Sequence, residues 1–177
     1  MSEPVTTPAC DSTGAAIRWA RTADIRGIRS LVVPLAEQRV LVSKEIVTYY
    51  ESVQEFRVAE RDGALIGCGA LHVMWEDLAE IRTLAVAREA LGAGLGGQLL
   101  ETLVEDAREL GVRRLFCLTF ETRFFERHGF VPIEGRAVSG AVYAELLRSY
   151  DEGVAEFLDL ERVKPNTLGN TRMLRTL

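Results

Sequence analysis

The chain has 177 residues, enough for one domain with a sizeable core, and 47% of them are hydrophobic and 27% charged, the balance of an ordinary folded protein. Its formal net charge is −5, which argues against a nucleic-acid binder, a role that needs a basic surface. Cys10, Cys68 and Cys117 are far apart with no Cys-x-x-Cys spacing, and neither His72 nor His128 has metal-ligand spacing; this points to a reducing compartment, the cytoplasm, with no disulfide framework and no metal.

Residues 1–16 are small and polar, lack a basic start and an apolar run, and predict a disordered arm rather than a signal peptide. No apolar stretch is long enough to span a membrane. Ile17–Ala20 alternates as a first strand. Thr22 or Asp24 can cap a helix with Ile25, Ile28, Leu31, Val32 and Leu35 on its apolar face, and Pro34 should kink or end it. A second short helix follows Ser43, with Ile46, Val47, Tyr50 and Val53 on its buried side. Phe56–Glu60 reads as a strand, Arg61-Asp62-Gly63 as a hairpin turn, and Ala64 to about Met74 as the returning strand. Trp75-Glu76-Asp77 breaks the pattern.

Ala79–Val86 is the next strand, with Glu80, Arg82 and Leu84 alternating against Ile81, Thr83 and Ala85. The turn Gly92-Ala93-Gly94-Leu95-Gly96 opens a long amphipathic helix with Leu95, Leu99, Leu103, Ala107 and Leu110 on one face and Gly111 as its C-cap. Leu115–Thr119 is a short strand, Thr122–His128 a short helix stopped by Gly129, and Phe130–Ile133 a further strand. Val142–Tyr150 looks helical, and Met173–Leu177 suits a last strand. Trp19, Trp75, Phe116 and Phe157 read as core, as do Cys68 and Cys117. With no repeat or linker, residues 17–177 form one domain, a mixed α/β sheet covered by helices.

The strongest chemical signal is the succession of strand, glycine-rich turn and helix from Ile81 to Leu110. Glycines let backbone N–H groups approach an anion, and the helix start adds unpaired donors and a partial positive charge. No Lys-Ser/Thr pair follows, so this is not a nucleoside-triphosphate loop. By itself the turn is equally compatible with plain turn chemistry before a helix.

Residues 79–86, Leu91-Gly92-Ala93-Gly94-Leu95-Gly96 and Phe124-Phe125-Glu126-Arg127-His128-Gly129-Phe130 together resemble three signatures of the GNAT acetyltransferases, in the right order and spacing. The resemblance covers roughly Arg18 to Ile133. It implies the GNAT fold: one mixed, mostly antiparallel sheet flanked by helices, with acetyl-CoA in the cleft between the central strands. It also implies that Leu84, Ala85, Val86, Leu91, Gly92, Ala93, Gly94, Leu95 and Gly96 bind the cofactor. Residues 20–25, 41–44, 66–71, 118–119 and 170–174 narrow the match to the acetyltransferase domain of N-acetylglutamate synthase, in a short form without the upstream kinase-like domain where arginine binds.

That narrower resemblance implies acetyl transfer to the α-amine of L-glutamate, the first step of arginine biosynthesis. The family's usual phosphate-binding Gln or Arg is Leu91 here, so phosphate binding must rest on backbone N–H groups. The general-acid tyrosine of many GNAT enzymes is Phe125, and the synthases also lack it. A thiol leaving group, with a pKa near ~8.5, departs with modest help. Glu80 stands where the family places a general base for the protonated amine, and backbone N–H groups at residues 84–86 could stabilise the oxyanion. Lys44 matches a carboxylate-binding Arg, His72 a pocket Lys and Thr171 a substrate-binding Ser. Arg82 should share Glu80's face, and Arg172 belongs to a tail without acids. Gly169 replaces an Arg, which leaves glutamine as well as glutamate open.

Structural readings stand beside each of these: Glu80 as a strand ion-pair partner, Arg82 as its neutraliser, Lys44 as a solvated charge. Two rival functions also stand open, a GNAT enzyme for another amine and a non-catalytic acetyl-CoA sensor. Exposed strand edges and the irregular tail point to a homodimer.

Overall fold

A computed structural model describes residues 14–37, 44–164 and 169–177. Its strands are β1 (Ala16–Trp19), β2 (Phe56–Arg61), β3 (Ala64–Trp75), β4 (Leu78–Val86), β5 (Arg114–Thr119), β6 (Val131–Pro132) and β7 (Thr171–Thr176). They form one open sheet in the order β1-β2-β3-β4-β5-β7-β6. The β1/β2, β5/β7 and β6/β7 pairs are antiparallel and β4/β5 is parallel. The helices are α1 (Ile25–Glu37), α2 (Ile46–Glu51), α3 (Leu95–Glu109), α4 (Thr122–Arg127), α5 (Gly140–Leu146) and α6 (Glu152–Phe157). This is the mixed, helix-covered sheet that the sequence predicts.

Contacts divide the chain into two compact units, residues 1–69 with 83–102 and residues 70–82 with 103–177. The core of the first includes Ile66, Ala90, Leu95 and Leu99, with Leu84 and Val86 packed against it. A Cβ at Gly67 would lie 2.8 Å from Leu99 Cδ1, so only glycine lets β3 pass this close to α3. The second unit buries Met74, Leu78, Phe116, Leu146, Val154, Phe157 and Leu158 together.

Local signals explain most boundaries. Asp62 and Gly63 both have positive φ, 52° and 77°, as a two-residue hairpin turn that follows the strand twist requires. At the end of α3, the Val112 N–H donates to Ala107 O at 2.9 Å and the Gly111 N–H to Arg108 O at 3.0 Å. With Gly111 at φ 83°, this is a Schellman cap.

Other expectations fail for local reasons. Pro34 does not end α1, which runs on to Glu37; Pro34 is exposed, so water can satisfy the carbonyl it leaves unpaired. The face of α2 is reversed: Ile46, Val47 and Tyr50 are exposed, and Tyr49 is buried with its ring 6.1 Å from that of Phe56. Six residues are too few for a periodic pattern to choose a side. Leu110 is exposed because it follows the last helical residue, and Val112 is buried in its place. Trp19, expected in the core, is 48% exposed. It lies on edge strand β1, where the Arg57 guanidinium stacks 3.5 Å from its ring centre, a cation–π contact.

Trp75 is partly buried, whereas Phe116, Phe157, Cys68 and Cys117 are core. The helix expected over residues 142–150 is α5, which ends at Leu146, and α6 was not expected. Residues 1–13 of the expected arm lie outside the described residues, as do Leu41, Val42, Ser43 and Pro165; Ala15 is buried and Ala16 opens β1.

Candidate active site

In the first unit, β4 runs into a short turn and then the loop before α3. Residues 91–94 are exposed, and Leu95 is buried as the apolar anchor of the helix. Gly92 and Gly94 have φ 79° and 83°, a conformation that glycine adopts without strain. A Cβ at either would meet no atom within 4 Å, so backbone and space are both open on this side. The Gln98 N–H donates to Gly94 O at 3.1 Å, the first bond of the helix. Helix geometry therefore leaves the N–H groups of Leu95, Gly96 and Gly97 without intrahelical acceptors. The first turn of α3 holds no acidic residue. Open space, left-handed glycines and bared amides fit a diphosphate of the coenzyme A type. Leu84 and Val86 are partly buried against the core of this unit, and Ala85 is buried.

Along β4 the alternation breaks at Thr83, whose φ is 53°. A left-handed β-branched residue is an outlier that costs about 1–3 kcal/mol and concentrates at functional sites. Thr83 O accepts a contact from Cys68 Sγ at 3.6 Å, and burial pushes the Cys68 thiol up to about 12.

In the second unit, Glu80 is a buried carboxylate, 5% exposed. Arg82 Nε donates to Glu80 Oε2 at 2.7 Å, so the two residues share one strand face. The rest of the guanidinium forms a fork: Nη1 donates to Asp151 Oδ2 at 3.1 Å and Nη2 to Asp151 Oδ1 at 2.5 Å. His72 Nε2 lies 3.7 Å from Asp151 Oδ2. Burial works against the Arg82 charge, but Glu80 and Asp151 outweigh it and hold the group above the ordinary arginine value. Burial likewise works against the Asp151 carboxylate, yet Arg82, the Val154 N–H and His72 keep it below the usual carboxylate range.

Asp151 also caps α6, accepting from the Val154 N–H at 3.0 Å. The first turn of that helix lies against the ion pair. A Cβ at Gly153 would overlap Glu80 Oε2 and come within 2.6 Å of Arg82 Nη2. Asp151 and Gly153 thus belong to the site, and sequence reading missed both. The available signal was local: an Asp three residues before an apolar Val, with Glu152 between, is an N-cap pattern.

The remaining expected residues are dispersed. Thr171 pairs with Thr119 across β7 and β5 and is partly buried. Arg172 Nη2 donates to Gly135 O at 3.2 Å and to Phe157 O, whereas its buried Nε has no partner. Arg172, Asn170 and Lys164 line a pocket of about 200 Å³ together with the carboxylates of Glu156 and Asp159. Lys44, half-buried, stands two residues before α2 in the first unit. Phe125 is buried against Phe130, their ring centres 5.2 Å apart, and is purely apolar packing. Among the described residues no group of His, Cys, Asp and Glu could hold a metal ion, and no helix is long and apolar enough to cross a membrane.

The family described as Acetyltransferase (GNAT) matches residues 35–130, and the chain belongs to it. Within that family the chain is similar to amino-acid acetyltransferases. That of Mycobacterium tuberculosis (strain ATCC 25618 / H37Rv) is 54% identical over 164 residues, 91% of this chain and 94% of that protein. That of Aeromonas salmonicida (strain A449) is 38% identical over 119 residues, 66% of this chain but 27% of that longer protein. Among solved structures, Rv2747 from M. tuberculosis in complex with CoA and NLQ superposes with a TM-score of 0.88 at 53% identity, covering 92% of this chain and 99% of that one. N-acetylglutamate synthase from Neisseria gonorrhoeae, complexed with coenzyme A and N-acetyl-glutamate, gives 0.74 at 28% identity, covering 92% and 35%.

Proposed function

We propose that this chain moves the acetyl group of acetyl-CoA to the α-amine of L-glutamate, the first step of arginine biosynthesis. The observation that carries the reading is the course of β4. One strand bears the buried Glu80–Arg82 pair and continues into the glycine loop whose amides suit the coenzyme's diphosphate. The relatives' names and the coenzyme-bound neighbours support the same chemistry.

In this reading the substrate ammonium gives a proton to Glu80, directly or through water, because amines of this kind are mostly protonated at neutral pH. The freed lone pair attacks the thioester carbon. Backbone N–H groups at residues 84–86 face the developing oxyanion. The C–S bond breaks, the attacking nitrogen gives up its second proton to become the amide, and coenzyme A leaves as a thiolate that takes up a proton, so the thiol and the amide are the products. Leu91 offers no donor, so Gly92 to Gly96 bind phosphate through their backbone.

The two substrate carboxylates fall to Lys44, His72, Thr171, Arg82 and Arg172. The unpartnered Nε of Arg172 favours that residue, since a buried donor gains most from a charged acceptor. The Arg82 charge is already divided between Glu80 and Asp151. Residues 17–177 act as one acetyltransferase domain, working in the cytoplasm as a homodimer.

The test is a thiol-release assay with acetyl-CoA against the twenty amino acids, with the product identified by mass. L-glutamate should give the highest kcat/KM. A preference for L-glutamine would remove one carboxylate anchor from the assignment. Coenzyme binding without thiol release on any amino acid would reduce the chain to a sensor.

A further inference from the structure

We propose that Asp151 is a positioning residue which, by drawing Arg82 to itself, keeps Glu80 basic enough to take the proton of the acceptor amine. The inference rests on the reading of Glu80 as the base, and it addresses a difficulty in that reading. A carboxylate paired with an arginine is normally a poor base, because the cation stabilises its charged form. Here the cation is divided. A single N–H of Arg82, on Nε, goes to Glu80, and the two-pronged end of the guanidinium goes to Asp151. Two carboxylates facing one guanidinium leave the cluster with an excess negative charge whenever His72 is neutral. A second negative charge raises the proton affinity of the first, and an electronegative cluster also attracts an ammonium group.

Asp151 is held firmly enough for this. Its N–H donates to Ser149 Oγ at 3.1 Å, and its Oδ1 accepts from the Val154 N–H. Exposure rises along the chain of contacts: the side chains of Glu80 and Arg82 are 6% and 11% exposed, those of Asp151 and His72 27% and 23%. Glu80 is thus screened from solvent, and the charge that tunes it lies at the wetter end. Cys117 and Gly153 also face Glu80. From β5 comes Cys117, whose thiol is pushed up by burial and by Glu80 itself and so stays neutral. From α6 comes Gly153, where a Cβ would overlap Glu80 Oε2. His72, on β3, reaches the cluster beside Asp151, its Nε2 3.7 Å from Asp151 Oδ2.

Asp151→Asn separates charge from structure, since Asn has the same size and caps helices equally well. The readout independent of turnover is the δ-carbon resonance of Glu80 in protein labelled with carbon-13 at glutamate, assigned by its disappearance in Glu80→Gln. In Asp151→Asn the Glu80 titration midpoint should fall by about one pH unit. The acid limb of the kcat/KM profile should move down with it, and kcat at pH 7 should drop roughly three- to tenfold, as Brønsted behaviour requires. The KM for acetyl-CoA should stay within twofold.

An unmoved Glu80 midpoint overturns the proposal. A merely structural Asp151 would lower the melting temperature and the yield of active enzyme but leave that midpoint in place. If the midpoint moves while the acid limb stays, the coupling stands and the assignment of Glu80 as base falls. Should Asp151→Asn fold poorly, Asp151→Ser, another uncharged cap residue, carries the same measurement.

Discussion

The glycine loop and the Glu80 cluster solve opposite problems with opposite materials. The loop from Leu91 to Gly94 is exposed, carries no charged or polar side chain, and with the start of α3 offers backbone N–H groups to a solvated anion. The cluster is buried, made of charged side chains, and drawn from β3, β4 and the residue that caps α6. A site built from amides tolerates any side chain that leaves φ and the open space alone. A site built from buried charges tolerates almost none, because each charge depends on its partner. Binding of the donor and activation of the acceptor should therefore fail separately under mutation.

The largest effect expected is on the cluster. Glu80→Gln keeps the shape and removes the proposed base, and should lower kcat at pH 7 by about 10²–10⁴-fold. The KM for acetyl-CoA, which the proposal assigns to the loop, should hardly change, and steady-state kinetics with both substrates varied checks this. A KM that rose in step with the loss of kcat would mean that the two regions are not separate.

Next comes Gly153→Ala. It adds one methyl where Glu80 Oε2 and Arg82 Nη2 already lie, so the pair has to move. If Glu80 is the base, kcat should fall roughly 10- to 100-fold, since displacement of a catalytic group by about 1 Å costs on that order. Wild-type acetyl-CoA affinity by calorimetry would show that the damage is confined to the cluster.

Gly94→Ala probes the other region. No atom is in the way of the new Cβ, but the left-handed backbone costs an L-residue about 1–2 kcal/mol. The KM for acetyl-CoA should rise about tenfold with kcat within threefold. The smallest effect is a gain. Leu91→Arg places a cation at an exposed loop position, and a solvated charge of this kind contributes up to ~1 kcal/mol. The KM for acetyl-CoA should fall two- to fivefold at low salt and return toward wild type in high salt.

The same contrast decides what the sequence could reveal. The loop was legible because its parts are contiguous: the strand, the glycines and the apolar helix face follow one another from Ile81 to Leu110. The pairing of Glu80 with Arg82 was legible as well, since strand alternation puts residues two apart on one face. Asp151 was not, because it meets Arg82 across 69 positions of sequence and carries only a cap signal of its own. Helix α6 escaped notice for a related reason. Its six residues, Glu152–Phe157, are too few for a helical period, and Gly153 within it argues against a helix. Gly153 is there because Glu80 leaves no room for more. On α2 the period misled, and on β1 the size of Trp19 suggested burial where an edge strand offered a stacking arginine instead.

Thr83 carries a consequence for how this enzyme could be improved. A branched residue twisted into the left-handed region in mid-strand is a spring held shut by its surroundings, and Asn relaxes there more readily than Thr. Selection for heat tolerance alone would settle on this position early. It would also relax a backbone conformation of the kind that concentrates at functional sites, so the hardier protein is expected to be the slower catalyst.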